Sequence, residues 1–312
     1  MSTAERLGLV LVLVLLGAGW GITQPLAKIA VTAGYSHFGI VFWQLAIGAV
    51  ALGALCLARG RRLPLGPRHL KLYVIIALIG TILPNSASYQ AAGHLPAGVI
   101  SILISLVPMF AFPIALALGI DRFSGLRLAG LAAGLLGVVL IVAPEASLPD
   151  PAMILWVPMA LVAPFFYGLE GNYVAKWGTE GLDPIQTLFG ASLIGCAIAL
   201  PLAVGSGQWI DPRPPWGLRD LAVAGIALVH ACVYAGYVWM VGRAGAVFAA
   251  QVSYLVTLWG ILWARLILGE SYSGWVWGAL ALMMAGLFLV QPRPRGAGLA
   301  PVLPVKQTGR RA

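Results

Sequence analysis

Charge is what this chain lacks most. Asp, Glu, Lys and Arg make up 9% of its 312 residues, against about 25% in an ordinary soluble domain. A soluble fold of this size is excluded. Cysteine is scarce as well: Cys56, Cys196 and Cys232 are far apart, odd in number and without metal-ligand spacing. That excludes a disulfide framework and a thiolate metal site, and leaves buried, inert thiols. The four histidines, His37, His69, His94 and His230, are scattered, and no HExxH stretch or Cys/His cluster exists. No nucleophile–base pair or metal constellation can be assembled, so the sequence implies neither an enzyme, a metal nor a cofactor.

Apolar residues, in contrast, are abundant at 60% of the chain. They come in ten blocks of about 20 residues, the length that crosses a hydrocarbon core: 7–31, 37–58, 70–91, 96–118, 125–143, 152–175, 184–204, 217–240, 245–268 and 274–291. The expected fold is all-α and polytopic, with short loops and no soluble domain. The first block has the apolar core of a leader peptide, but its helical pattern runs past Trp20, so it reads as a membrane helix. The net charge of +9 fits loop orientation and lipid contact, not nucleic acid. With the N-terminus in the cytoplasm, 15 of the 19 basic residues fall on cytoplasmic segments; Lys28, Arg213, Arg219 and Arg265 do not. Both termini are therefore expected inside. The Pro/Gly-rich basic tail, 292–312, is expected to be disordered.

The chain repeats itself. "GIDRFSG" ends at Gly125 and "LGESYSG" at Gly274, 149 residues later; "WGITQPLAKIAVTAG" (20–34) aligns with "YGLEGNYVAKWGTEG" (167–181) at an offset of 147. Gly137 meets Gly286 in the fifth and tenth blocks. Two repeats, 1–145 and 146–291, hold five spans each. Five is odd, so the second repeat enters the bilayer inverted. Inverted repeats are a transporter architecture, with a site between the halves near the midplane.

Two five-helix halves, each closing with small–acid–x–x–Ser–Gly, resemble the drug/metabolite transporter superfamily with its two EamA-type repeats. Within it, the "GWGITQPLAK" first helix and the Trp/Tyr-rich interior are similar to the YddG-type aromatic amino-acid exporters. The resemblance covers residues 5–291 and implies a ten-helix fold and export of small metabolites across the inner membrane. The first junction departs from the pattern: it carries Asp121-Arg122 where such repeats usually have Glu. A solvated helix end or turn contact is the reading for that acid.

The repeat also filters the polar residues, since one that recurs on the same face in both halves is expected to point inward. Thr81, Asn85 and Ser88 share a face in the third span, and 149 positions on lie His230, Tyr234 and Tyr237. Ser101, Ser105 and Pro108 map onto Ala250, Tyr254 and Thr257, with Gln251 beside them. Trp20, Thr23 and Gln24 map onto Tyr167, Glu170 and Gly171. Expected lining residues are Trp20, Gln24, Asn85, Ser88, Ser101, Ser105, Tyr167, His230, Tyr234, Tyr237, Gln251 and Tyr254. For the Ser and Thr groups, bonding back to their own helix is the competing reading. Glu170 is a gate or coupling candidate towards the cytoplasmic end of the sixth span, with Lys176 or His230 as partner. Trp209, Trp216, Trp275 and Trp277 lie near span ends, as interfacial belt residues do. The fifth and tenth spans, apolar with spaced glycines, suit a packing scaffold or dimer face.

The expected function is alternating-access export of small, mostly apolar metabolites. Aromatic amino acids come from the family resemblance, and a broader metabolite or drug exporter is the alternative. The partners expected are a small-molecule substrate and the bilayer.

Overall fold

The computed structural model describes residues 3–144, 147–244 and 251–290; side chains are left aside at 3, 4, 6, 241 and 242. The basic tail, 292–312, and the opening of the ninth span, 245–250, lie outside the described residues. Among the described residues, regular structure is helical throughout. We number ten helices: α1 (Thr3–Thr32), α2 (His37–Ala58), α3 (Pro67–Ala92), α4 (Ala97–Ala117), α5 (Gly125–Val142), α6 (Pro151–Trp177), α7 (Pro184–Gly205), α8 (Leu218–Ala244), α9 (Val252–Leu268) and α10 (Gly274–Val290). Each falls on one expected span. The first eight are long and apolar enough to cross a membrane; α9 and α10 are apolar and have 17 described residues each, or about 25 Å of helix.

Local chemistry sets the ends. Asp183 and Gln186 form a reciprocal capping box ahead of Pro184 at the start of α7. Gly269 ends α9 with φ +68°, a left-handed turn open to a residue without Cβ. Two helices are interrupted, both by proline. Pro84 has no N–H to return to the Gly80 carbonyl, and a π-turn at Leu78–Ile82 lies just before it in α3. In α4 the helix breaks at Ser105–Leu106, ahead of Pro108. The repeat partners of these two prolines, Val233 and Thr257, lie in uninterrupted α8 and α9.

The major helix contacts run between the halves. α1 packs on α8 and α9; α6 packs on α3 and α4; α2 pairs with α7 and α8, α3 with α7, α4 with α9, and α5 with α10. Replacing each helix by the one five places on leaves this pattern unchanged. The direction of packing shows the inversion. Gly130 of α5 lies against Gly286 of α10, and Gly137 against Ala279, so residue numbers rise on one helix as they fall on the other. The α2–α7 pair does the same, with Gly39 beside Ile210 and Gly53 beside Phe189. Equivalent helices run antiparallel, as inverted repeats require.

The tightest crossings obey the same symmetry. A Cβ on Gly21 of α1 would stand 2.8 Å from the Gly260 amide nitrogen of α9. A Cβ on Gly168 of α6 would stand 2.9 Å from that of Ala111 in α4. Gly168 is the repeat partner of Gly21, and Gly260 that of Ala111, so one backbone-to-backbone contact is built twice. In lipid there is no hydrophobic force between helices, and such close van der Waals approach is what associates them.

The end of the bundle opposite the N-terminus is tied across the halves. The Glu270 carboxylate accepts the first amides of α4, Ala97 N–H at 2.7 Å and Gly98 N–H at 3.1 Å, and the Tyr272 hydroxyl at 2.7 Å. Burial raises the pKa of the Tyr272 hydroxyl, and its bond to Glu270 raises it further. Tyr35 donates to Asp220, Trp43 Nε1 to the Ile210 carbonyl, and Arg219 to the Ala33 carbonyl. Asp121, the junction acid of the first half, instead pairs with the buried Arg127 and accepts from Arg122 N–H. Both junction acids thus make helix-end contacts, by different routes.

Replacing Gly168 with Ala forces apart the α4–α6 backbones, and overpacking of this kind costs about 1–3 kcal/mol. Gly171, one turn on, has open space where its Cβ would go. We expect Gly168→Ala to lower the thermal unfolding midpoint in detergent and Gly171→Ala to leave it unchanged or raise it. Equal midpoints would show that the crossing tolerates the extra atom.

Candidate functional site

Halfway along α6, α3 and α8, polar and aromatic groups meet. The Glu170 carboxylate of α6 lies against Gly80, inside the π-turn of α3, where a Cβ would strike its oxygens. It is within electrostatic reach of the Tyr167 and Tyr234 hydroxyls. On the facing helices, the Trp20 ring lies 6.3 Å from His230 and 5.5 Å from Tyr237, and Tyr237 lies 6.5 Å from Tyr234. Tyr167, Glu170, His230 and Tyr234 are deep in the protein, yet each keeps part of its surface uncovered. Side chains at that depth with surface still uncovered border a gap between the helices, which we call the chamber.

One wall is a hydrogen-bond network through three helices. Buried Gln44 of α2 accepts with Oε1 from Asn85 Nδ2 at 3.1 Å and from the Tyr89 hydroxyl at 2.5 Å. Asn85 Oδ1 in turn accepts from the Tyr167 hydroxyl at 2.5 Å. The network fixes the Asn85 amide and aims Tyr167 at the wall. Sequence reasoning found Asn85 and Tyr167 but missed Gln44 and Tyr89. The signal for Gln44 was its type: an amide in an apolar span cannot easily satisfy all its groups on its own helix.

The expected lining divides. Trp20, Asn85, Tyr167, His230, Tyr234 and Tyr237 come together, with Gln24 partly uncovered on the Trp20 helix and Ser88 buried one turn beyond Asn85. Ser101 and Ser105 do not join them. Ser101 Oγ donates to the Ala97 carbonyl at 3.0 Å and Ser105 Oγ to that of Ile102 at 2.6 Å, and both are buried. Ser101 is pressed against Gly260 where α4 meets α9. They serve helix packing, the competing reading for hydroxyls in spans. Tyr254 packs beside the apolar cluster of α4 and α10, and Gln251 heads α9.

Glu170 also differs from expectation. Lys176 is not its partner: that ammonium donates to the Leu118 carbonyl at 2.9 Å and lies over the Trp177 ring. The carboxyl group is level with Gly80, the middle of α3, and not at a mouth. Side chains on a helix lean towards its N-terminus, which carries the Glu170 carboxyl inward from its Cα. Two cavities of 550 and 360 Å³ open elsewhere, among the loops opposite the N-terminus, beside Asp211 and Arg213 and beside Ser147 and Tyr272.

Comparison with known proteins places this geometry. The profile of the EamA-like transporter family matches twice, over residues 7–143 and 154–291. A WAT1-related chloroplastic protein of Arabidopsis thaliana is 23% identical over 282 residues, 87% of this chain. The chain spans 66% of that relative's length, just under two thirds. A solved crystal structure shares the fold with a TM-score of 0.58 and 20% identity, over 92% of this chain and 96% of the other.

Gln44→Leu strands the Asn85 amide and the Tyr89 hydroxyl together, at a cost of about 1–3 kcal/mol for each unsatisfied group. Tyr89→Phe removes one donor and leaves Gln44 bonded to Asn85. The thermal midpoint in detergent should fall further for Gln44→Leu than for Tyr89→Phe. The reverse order would mean that Asn85 finds another partner.

Proposed function

The chain belongs to the EamA-like transporter family, a multi-pass membrane protein that moves a small molecule across a bilayer, and from that membership we propose that it exports small, mostly apolar metabolites by alternating access. The chamber around Glu170 is the substrate site in this reading. Aromatic amino acids are the proposed substrates, through the resemblance of the first helix and the ring-rich interior to aromatic amino-acid exporters. The carrying observation is the meeting of Trp20, His230, Tyr234 and Tyr237 beside an internal carboxylate. Rings supply large apolar contact and accept aromatic side chains edge-on or offset.

The division into 1–145 and 146–291, with a cytoplasmic tail at 292–312, is part of the same proposal. So are the inner membrane and the cytoplasmic placing of both termini, for which the 15-to-4 distribution of basic residues speaks. Alternating access is favoured over a channel because polar groups along the spans are too sparse to wet a continuous pore. Packing between the halves also supports it: when nearly every major contact crosses from one repeat to the other, rocking one repeat changes access at both ends. A broad-specificity metabolite or drug exporter of the same fold is the second reading, since the family match names no substrate.

Uptake of labelled phenylalanine and alanine into proteoliposomes, beside empty liposomes, tests the proposal. Phenylalanine flux should exceed alanine flux. Tyr234→Ala should lower the former severalfold more than the latter, since a ring contact contributes about 0.5–1.5 kcal/mol beyond its buried area. Equal losses would place Tyr234 in folding or gating, and no flux above empty liposomes for either would remove the amino-acid reading.

A further inference from the structure

Among the described residues, and histidine aside, Glu170 is the one acidic or basic side chain in the interior of the ten helices. Every lysine and arginine in them lies within about five residues of a helix end, as do Glu5 and Asp220. Among the described residues, the Glu170 carboxylate accepts no hydrogen bond from the protein and meets no cation. The nearest candidate amines are engaged elsewhere: Lys176 on the Leu118 carbonyl, and Lys28 on the Leu95 carbonyl at 3.0 Å. A discontinuous helix can offer free amides to a substrate carboxylate, but the break in α4 keeps most of its own engaged. Its Ser105, Leu106, Met109 and Phe110 N–H groups all bond to carbonyls of the same helix.

Among the described residues the chamber therefore offers one carboxyl group, the rings of Trp20, Tyr234 and Tyr237, and no fixed positive group. Ring faces attract cations, most strongly where both are desolvated. A carboxylate brought into such a site meets no cation among the described residues, and an unpaired buried charge is costly.

We infer that the chamber takes its substrate as a cation: the ammonium group of an aromatic amine sits on the Glu170 carboxylate with its ring among Trp20, Tyr234 and Tyr237, and a free carboxylate on the same molecule weakens binding. This rests on the transport reading above and names its preferred chemical class. Aromatic monoamines are the best ligands, zwitterionic amino acids are weaker, and aromatic acids are the weakest. His230 is the one group in the chamber able to become cationic, so the test is run at about pH 8, where an ordinary imidazole is neutral.

The probes are phenethylamine, phenylalanine and 3-phenylpropionate, which share a ring and chain length and differ in charge. Their binding to the full chain in detergent is followed by tryptophan fluorescence excited at wavelengths the probes do not absorb. Phenethylamine should bind at least tenfold more tightly than phenylalanine, and 3-phenylpropionate most weakly. Glu170→Gln, with its thermal midpoint shown to match the parent, should remove that preference. Phenylalanine binding as tightly as phenethylamine, or a preference that survives Glu170→Gln, would overturn the inference and leave the transport reading standing. The three-ligand order on the unmodified protein decides even if the variant fails to fold. Failure of all three to bind overturns both.

Discussion

Two backbone crossings hold everything else in place: Gly21 on Gly260, and Gly168 on Ala111. Each brings a helix of one repeat within direct contact of a helix of the other, at a distance that excludes even a methyl group. Because the crossings are repeat partners, α1 and α6 are both held by the opposite half. The side chains just before them, Trp20 ahead of Gly21 and Tyr167 ahead of Gly168, are then directed into the same interior. The symmetry of the scaffold places them together, and the divergence of their neighbours gives the chamber its character. Where the first half carries Thr23, near Trp20, the second carries Glu170 near Tyr167.

The Glu170 carboxylate depends on a second irregularity. It occupies the space left by Gly80 within a π-turn, and that turn lies where Pro84 interrupts regular hydrogen bonding. A regular α3 with alanine at position 80 would fill the ground the carboxylate stands on. The Gln44 network then anchors the next two turns of α3 to α2, so the interrupted segment is held at its far side.

The spans were legible because bilayer thickness fixes their length and the apolar blocks show it directly. The inversion was legible because five crossings per repeat leave no alternative, and the antiparallel Gly130–Gly286 and Gly137–Ala279 contacts bear it out. The site was legible only in part. Mapping between repeats marked Trp20, Tyr167, His230, Tyr234 and Tyr237, large side chains on matched faces, and the structure brings these together. It overreached at Ser101 and Ser105, because a hydroxyl can satisfy itself on its own helix and face a neighbour. It missed Gln44, whose counterparts in α7 are Ala191 and Ser192 near the same offset, so nothing in the repeat marked it. Glu170 was placed too near one mouth because a residue number locates the Cα, while the functional atoms lie most of a turn away.

The bond between Glu270 and the first amides of α4 has an energetic consequence for the proposed cycle. A carboxylate and the free amides at the start of a helix are both groups that water solvates well. Parting them at the surface exchanges one set of hydrogen bonds for another of similar strength, and the net difference per bond is about 0.5–1.5 kcal/mol, rising towards 3 where charge is involved. Sealing that end with interdigitated apolar side chains would have fixed it shut. In the proposed cycle, sealing it with a wettable contact would leave the closed and open arrangements close in free energy, so that the binding of one small molecule would suffice to tilt the balance.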